Sequence, residues 1–241
     1  MSKKINLICL PFAGGSKYSY RSLFDNSNDI FNVITLEYPG HGSRVIEELE
    51  SDIRNVVNDL YEQIETILHD GEFAIYGHSL GGLIGYLLSV KILQNRYQGP
   101  KHLFVSGAAG PSALSRSERR IHLYPQKEFL EEVITLGGIP EEIARETDML
   151  YFLEPILRND FKLSATYVHQ KYEPLNISMT VVSGTEESIT EDDLLLWQKE
   201  CTKVVDFIKM PGDHFFILKR KTELVDVISK KLQSLEFSSY E

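Results

Sequence analysis

The sequence predicts an α/β protein with a mostly parallel sheet, helices on both faces of that sheet and one helical insertion. Short apolar runs alternate with longer segments of helical period, which is typical of consecutive βαβ units. One stretch, 108–174, interrupts the alternation and carries only helix-like patterns. A chain of 241 residues is long enough for one large core. We therefore expect a core formed by 1–107 and 175–241 and a cap, or lid, formed by 108–174.

The candidate strands are short apolar runs that precede turns or helical segments. They are Ile5–Leu10, Val33–Leu36, Glu72–Tyr76, His102–Ser106, Met179–Ser183 and Val204–Ile208. Right-handed crossovers between consecutive parallel strands would place the intervening helices on both faces of the sheet.

The candidate helices of the core lie between and after these strands. They are Ser19–Phe24, Asp52–Leu68, Leu80–Leu93, Leu194–Glu200 and Lys221–Leu235. The second shows the clearest period, with apolar residues at Ile53, Val56, Val57, Leu60, Ile64 and Leu68. Their spacing is close to 3.6 residues and indicates an amphipathic helix that packs one face on the core.

The stretch 108–174 holds two apolar helical patterns separated by a break. Gln126–Leu136 is amphipathic, Gly137-Gly138-Ile139-Pro140 ends it, and Met149–Leu157 is strongly apolar. A helical excursion between two strands predicts a cap over the carboxyl edge of the sheet, where α/β proteins bind their ligands. The alternative is a pair of ordinary crossover helices, but the length of the stretch favours the cap.

Composition argues against several classes of function. The formal net charge of −10 disfavours broad binding to nucleic acid or to anionic membranes, which requires a basic field. No apolar run approaches the length of a transmembrane helix, and Met1–Ile5 leads directly into a strand pattern, so no signal peptide is expected. Cys9 and Cys201 have neither disulfide nor metal spacing. We therefore expect buried structural cysteines, no cofactor or metal, and a cytoplasmic location.

One glycine-flanked serine lies between a candidate strand and a candidate helix. The segment Gly77-His78-Ser79-Leu80-Gly81 has the context of the nucleophile elbow of α/β-hydrolases, where the sharp turn requires small neighbours. This pattern predicts Ser79 as a nucleophile, the alternative being a serine that merely caps a helix. His78 is expected to pack beneath the elbow rather than to act as the base.

The catalytic base is expected late in the chain, because α/β-hydrolases order their triad as serine, acid, histidine. His214 follows the last candidate strand and precedes the final helix, and Gly212 allows the loop to turn before it. Asp213 is expected to be a turn residue, since the side chains of successive residues diverge. Three other histidines fit this position less well, namely His41, His69 and His102.

The orienting acid is expected in the turn after the penultimate candidate strand. That turn contains no aspartate, and Glu187 occupies a suitable place within it. Glutamate is an accepted triad acid, although its longer side chain must fold back to reach His214. Glu186 is the near alternative, with Asp192 and Asp193 as more distant ones.

An oxyanion hole needs two N–H donors. The geometry of the elbow provides one from Leu80, and the loop after the first strand, Pro11–Gly15, would provide the other from Ala13. A phosphate-binding loop is the competing interpretation of these glycines. It is disfavoured because no Lys-Ser or Lys-Thr pair follows them.

Four motifs of the core stand out together. They are Leu10-Pro11-Phe12-Ala13-Gly14-Gly15, Tyr38-Pro39-Gly40-His41-Gly42, Gly77-His78-Ser79-Leu80-Gly81-Gly82 and Gly212-Asp213-His214-Phe215-Phe216. Three further motifs lie in the insertion, namely His122–Pro125, Leu136–Pro140 and Leu157–Asp160. In this order, over nearly the whole chain, the set resembles the type II thioesterases of the α/β-hydrolase superfamily, which are stand-alone editing hydrolases of nonribosomal peptide and polyketide synthesis.

The resemblance implies hydrolysis of acyl groups from the phosphopantetheine thioester of acyl- or peptidyl-carrier proteins. A monomer is favoured, because a solitary editing enzyme must visit many partners. The resemblance also places the family's nucleophile on Ser79, its histidine on His214 and its oxyanion donors on Ala13 and Leu80. Its acid is normally an aspartate at the position that Glu187 holds here.

Two other functions and one docking surface stay open at this point. The chain could be another serine esterase or acyltransferase of the same fold, or a catalytically silent binding protein that keeps the pocket. Carrier proteins are generally acidic, so a basic cluster in the insertion is a candidate docking patch. The alternative is a solvated charged face. The cluster consists of Arg116, Arg119, Arg120 and Lys127.

Overall fold

The computed structural model describes residues 4–25 and 30–238. Six strands form one sheet in the order β2-β1-β3-β4-β5-β6, and every neighbouring pair is parallel. The strands are β1 (Ile5–Leu10), β2 (Phe31–Thr35), β3 (Phe73–His78), β4 (His102–Ser106), β5 (Ser178–Gly184) and β6 (Asp206–Met210).

Helices connect the strands and fill the insertion. The α-helices are α1 (Arg21–Phe24), α2 (Ile53–Asp70), α3 (Leu80–Gln94), α4 (Ser115–Glu118), α5 (Gln126–Leu136), α6 (Glu141–Ala144), α7 (Thr147–Thr166), α8 (Glu191–Leu195), α9 (Phe216–Lys219) and α10 (Lys221–Ser238). Short 3₁₀ helices cover Gly42–Arg44, Ile121–Leu123 and Leu196–Glu200.

The sheet is covered on both faces because successive side chains of a strand point in opposite directions. In β1, Ile8 and Leu10 pack with α2 and α3 on one face, whereas Leu7 and Cys9 pack with α1 and α10 on the other. Helix α3 is buried around most of its circumference since it packs against the sheet, α2 and α7. Its apolar sequence has no polar face to expose.

Strand order places a crevice beside β1. From β1 the chain crosses first to β2 at one edge and then to β3 on the other side. In parallel sheets, ligands bind outside the carboxyl ends of the strands at such a switch point. The loop after β1 and the turn after β3 both lie there, and they carry Ala13 and Ser79.

The insertion between β4 and β5 contains α4–α7 and no named strand within the described residues. It has a small apolar core of its own, formed by Ile121, Phe129, Leu130, Val133, Leu150 and Leu157. Helix α7 also contacts α3 of the core. The insertion has the helical content that the sequence predicts. Its assignment as a separate cap over 108–174 stays a prediction.

The chain's single tryptophan joins the start of the insertion to the core. Trp197 is fully buried, and its indole Nε1–H donates a hydrogen bond of 2.8 Å to the Ala108 carbonyl oxygen. Its ring also makes an edge-to-face contact with the Tyr86 ring, with the centroids 5.8 Å apart. The first residue of the insertion is thus fixed against α3.

The sequence predictions differ from the structure mainly at element ends. The last strand begins at Asp206 rather than at Val204, because its register is set by β5, with Gly184 opposite Met210. The predicted helix Leu194–Glu200 is instead the end of α8 followed by a 3₁₀ helix. In the ranges 4–25 and 30–238, no helix combines the length and apolarity of a membrane span.

Candidate active site

Ser79 occupies a strained turn between β3 and α3. Its backbone has φ 54° and ψ −117°, and its N–H donates to the Ser106 carbonyl oxygen over 2.8 Å. A Cβ on Gly81 would lie 2.1 Å from the Leu10 carbonyl oxygen, and one on Gly77 would lie 2.1 Å from that of Gly81. The turn therefore requires glycine at both positions, as the elbow pattern predicts.

A hydrogen-bonded chain links the side chains of Ser79, His214 and Glu187. The Ser79 Oγ lies 3.1 Å from Nε2 of His214, and Nδ1 of His214 lies 2.6 Å from Oε1 of Glu187. Because Nδ1 faces a carboxylate it must carry the proton, which leaves Nε2 free to accept the serine proton. Sheet topology explains the meeting of acid and base, since their loops follow the neighbouring strands β5 and β6.

Glu187 folds back to reach the histidine. Its side chain is 2% exposed, and its second oxygen, Oε2, accepts the Gly184 N–H over 2.6 Å. Gly107 provides the space, because a Cβ there would lie 3.2 Å from Glu187 Oε1 and 2.4 Å from Cε1 of His78. Both carboxylate oxygens of Glu187 are thus held by hydrogen bonds, although its side chain is longer than that of aspartate.

The alternative acids lie elsewhere. Glu186 is exposed, and its N–H donates to the Gly212 carbonyl oxygen. Asp192 and Asp193 belong to the first turn of α8. Asp213 accepts the Phe215 N–H and pairs with Lys219, as expected of a turn residue.

The two predicted oxyanion donors flank the crevice at the ends of β1 and β3. The Gly15 N–H donates to the Phe12 carbonyl oxygen over 2.8 Å, so Ala13 sits in a tight turn in which Gly14 has φ 73°. Leu80 is the first residue of α3, where backbone N–H groups have no intrahelical acceptor. Within residues 4–25 and 30–238, neither the Ala13 nor the Leu80 N–H donates to a protein acceptor.

His78 lies beneath the site. Its Nδ1 is 3.0 Å from the Ser106 Oγ, and its ring centroid is 4.9 Å from that of His214. Burial, reinforced by the neighbouring His214, holds the pKa of His78 well below its usual range. His78 is therefore a neutral packing partner of the histidine above it.

Two cavities meet at Ser79 and His214. One, of about 430 Å³, is mainly apolar, and the other, of about 340 Å³, is more polar and includes Arg116 and Arg119. Apolar side chains of the insertion line the first cavity, including Val133, Leu136, Ile139, Leu153, Leu157 and Phe161.

The basic cluster of the insertion does not form one surface. Arg116 turns inward, and its Nη2 donates to the Ala109 and Gly110 carbonyl oxygens over 2.6 and 3.1 Å. Burial lowers the pKa of Arg116 to about 10. Of the predicted docking patch, Arg119, Arg120 and Lys127 remain exposed.

A second buried acid and histidine next to the site were not identified as functional from the sequence. Asp160 of α7 accepts hydrogen bonds from the Gly14 N–H and from His41. Asp160 lies on the apolar face of its helix with Ile156, Leu157 and Leu163, and an acid among buried apolar residues was the available signal.

This geometry can perform acyl transfer. A serine hydroxyl paired with an oriented imidazole is an activated nucleophile, and two free N–H groups at the same edge can stabilise an oxyanion. No other group is needed to open an ester or a thioester.

Comparison with known proteins agrees with this chemistry. The chain is 30% identical to the gramicidin S biosynthesis protein GrsT of Aneurinibacillus migulanus, over 95% of this chain and 90% of that protein. It is 28% identical to the medium-chain S-acyl fatty acid synthase thioesterase of Rattus norvegicus, over 90% of this chain and 83% of that one. The crystal structure of ClbQ from the colibactin NRPS/PKS pathway superposes with a TM-score of 0.91 at 33% identity, covering 98% of this chain and 100% of that one. A family model described as a thioesterase domain matches residues 5–232, so the chain belongs to the thioesterase family.

Proposed function

We propose that this chain is a type II thioesterase that releases acyl groups from the phosphopantetheine thioester of carrier proteins in nonribosomal peptide or polyketide biosynthesis. The observation that carries the proposal is the hydrogen-bonded chain of Ser79, His214 and Glu187 at the junction of an apolar and a polar cavity. The apolar cavity suits an acyl chain, and the polar one suits the amides of a pantetheine arm.

In the proposed mechanism, His214 takes the proton of Ser79 as the serine oxygen attacks the thioester carbonyl carbon. The negative charge that develops on the carbonyl oxygen is stabilised by the N–H groups of Ala13 and Leu80. The carbon–sulfur bond then breaks, and His214 protonates the departing thiolate. Water, activated by the same imidazole, hydrolyses the acyl-serine, while Glu187 keeps the ring in the correct tautomer throughout.

The partner is an acyl- or peptidyl-carrier protein. GrsT takes its name from gramicidin S biosynthesis, and ClbQ belongs to an NRPS/PKS pathway, which supports this assignment. Arg119 lines the polar cavity, and the exposed Arg120 follows it in sequence, so both would contact an acidic carrier. A monomeric, cytoplasmic enzyme with 108–174 as its cap completes the proposal.

The decisive experiment measures hydrolysis of a short acyl group on a carrier protein by the wild type and by Ser79→Ala, with the matching acyl-coenzyme A as the comparison. We expect Ser79-dependent release that is faster from the carrier. Ser79-dependent release without that preference would indicate a general acyl hydrolase. If neither thioester is cleaved, oxygen esters test for an esterase, and a failure to react with a fluorophosphonate probe would point to a silent binding protein.

A further inference from the structure

His41 and Asp160 form a buried pair outside the proposed triad. The His41 side chain is 3% exposed and that of Asp160 is fully buried, with His41 Nε2 lying 2.9 Å from Asp160 Oδ2. His41 belongs to the loop after β2, whereas Asp160 belongs to α7 of the insertion. The pair therefore joins the cap to the core.

The hydrogen-bond partners of His41 define its protonation state. Nδ1 lies 2.9 Å from the Pro39 carbonyl oxygen, and Nε2 faces the Asp160 carboxylate. Both partners are acceptors, so both ring nitrogens carry protons and the pair is an imidazolium and a carboxylate. Burial alone would lower the pKa of His41, but the charge and hydrogen bond of Asp160 outweigh it and raise the pKa. Glu37 is the other charged group that raises it.

The same oxygen of Asp160 also binds the loop Pro11–Gly15, the oxyanion loop, which carries the proposed donor Ala13. Asp160 Oδ2 accepts the Gly14 N–H over 2.7 Å, directly after Ala13. Helix α7 closes on this residue as well, because a Cβ on Gly14 would lie 2.3 Å from Cδ2 of Leu157. The loop that contains His41 adds a further hydrogen bond, from the Tyr38 hydroxyl to the Pro11 carbonyl oxygen over 2.7 Å.

Stability alone does not account for Asp160. Its second oxygen, Oδ1, is buried and has no hydrogen-bond partner among the described residues. Leaving a buried carboxylate oxygen unsatisfied is costly, so an apolar residue would suit the α7 interface better than a half-satisfied acid does. What the acid provides is a fixed acceptor for the Gly14 N–H.

We propose that Asp160 and His41 are positioning residues for the oxyanion hole, which hold the Ala13–Gly14 peptide in place only when α7 of the cap is seated on the core. The inference rests on the proposed function, through the assignment of the Ala13 N–H as an oxyanion donor. His41 orients the Asp160 carboxylate, and this carboxylate holds the Gly14 N–H. Fixing the Ala13–Gly14 peptide in this way also fixes the direction of the neighbouring Ala13 N–H. Neither side chain touches the substrate.

This arrangement has a specific kinetic signature. The oxyanion forms only in the transition state, so a displaced Ala13 N–H weakens transition-state binding and leaves ground-state binding nearly intact. A merely structural role would instead loosen the cap and weaken substrate binding. The ratio between the effects on kcat and on KM separates the two roles.

The test compares Asp160→Ala with Asn159→Ala, using one short acyl thioester. Asn159 is the matched control, since its Nδ2 joins α7 to the Glu50 carbonyl oxygen over 2.8 Å without touching the oxyanion loop. We expect Asp160→Ala to lower kcat by about 10- to 100-fold, with KM changed by less than about twofold, because a misplaced catalytic group costs up to about that much. Asn159→Ala should change kcat by less than about twofold on the same reasoning.

Two further measurements complete the test. Asp160→Asn keeps an oxygen for the Gly14 N–H, so it should recover most of the lost kcat. Substrate affinity measured in the Ser79→Ala background should be the same with and without Asp160→Ala. Circular dichroism and urea unfolding check that each variant is folded, and His41→Ala replaces Asp160→Ala, with the same expected loss of kcat, if the latter is not.

Each outcome decides between the inference and the function on which it rests. A folded Asp160→Ala with wild-type kcat, or one that raises KM and weakens affinity while kcat is kept, overturns the positioning role. If Ser79→Ala itself still hydrolyses the thioester, the proposed function falls, and the positioning role falls with it.

Discussion

Replacing Glu187 by glutamine preserves the volume of the side chain but changes what it can accept. In the wild type, the His214 Nδ1–H and the Gly184 N–H donate to different oxygens of Glu187, each over 2.6 Å. Glutamine has one oxygen and one amide NH₂ group. With the oxygen on Gly184, the NH₂ group faces Nδ1, and the imidazole must place its own proton on Nε2, towards Ser79.

The size of the effect follows from that tautomer. A histidine with its proton on Nε2 cannot accept the serine proton, and the corresponding change in a serine protease lowers kcat by about 10⁴-fold, or about 5 kcal/mol of activation free energy. We therefore expect Glu187→Gln to lose about 10³- to 10⁴-fold in kcat, with KM nearly unchanged. Since the side chain is 2% exposed, water has little access to replace the lost acceptor.

The assay is single-substrate kinetics on an acyl thioester, with Glu186→Gln as the matched control. Glu186 is the exposed neighbour, and its replacement should change kcat by less than about twofold. Glu187→Asp keeps the charge but shortens the reach by roughly 1.5 Å, so it should lose about 100-fold. A loss of only a few-fold in Glu187→Gln, or an equal loss in Glu186→Gln, would refute the assignment of the acid.

Three further perturbations test the elbow, the buried pair and the docking surface. Gly81→Ala, whose Cβ would lie 2.1 Å from a carbonyl oxygen, should lose about 3 kcal/mol or more of unfolding free energy in urea. Gly137→Ala is the control for this variant: a Cβ there would meet nothing within 4 Å, so only the positive φ should cost it about 1 kcal/mol of unfolding free energy. The folded-state pKa of His41 is raised, so its stability advantage over His41→Gln should be fully present below about pH 6.5 and disappear as pH rises through the folded value. Urea unfolding at several pH values measures this, and a difference that grows with pH would contradict the charged pair. Charge reversal at Arg119 and Arg120 should slow carrier-linked turnover and reduce its salt dependence while sparing a small thioester, and unchanged carrier kinetics would remove the docking role.

Much of the fold could be predicted because the buried strands have simple patterns. The sequence predicts β1 and β4 with the bounds that the structure has, since both lie inside the sheet and consist mainly of buried apolar residues. β6 is an edge strand with one face in solvent, and it includes the polar residues Asp206 and Lys209. The apolar pattern predicts a start at Val204, but Val204 is 90% exposed and the strand begins at Asp206, where pairing with β5 begins.

The candidate site could be predicted where the chemistry is local in sequence and not where it depends on the fold. The elbow at Ser79 lies within one short segment, and the resemblance to thioesterases that it helped to establish is confirmed. The choice between Glu186 and Glu187 depends on which side chain points inward, and adjacent residues cannot show this. Asp160 and His41 are 119 positions apart, so only tertiary structure reveals that they meet.

The buried position of Trp197 gives the protein an intrinsic fluorescence probe at one defined place. Because the sequence contains a single tryptophan, all indole emission comes from the contact of Trp197 with the Ala108 carbonyl and with Tyr86 of α3. Indole emission shifts to longer wavelength when the ring becomes exposed to water. An emission maximum that does not shift on substrate binding therefore indicates that the contacts of Trp197 with Ala108 and Tyr86 are kept. Stopped-flow fluorescence of the unlabelled enzyme can therefore compare the timing of a change at this contact with that of acyl release.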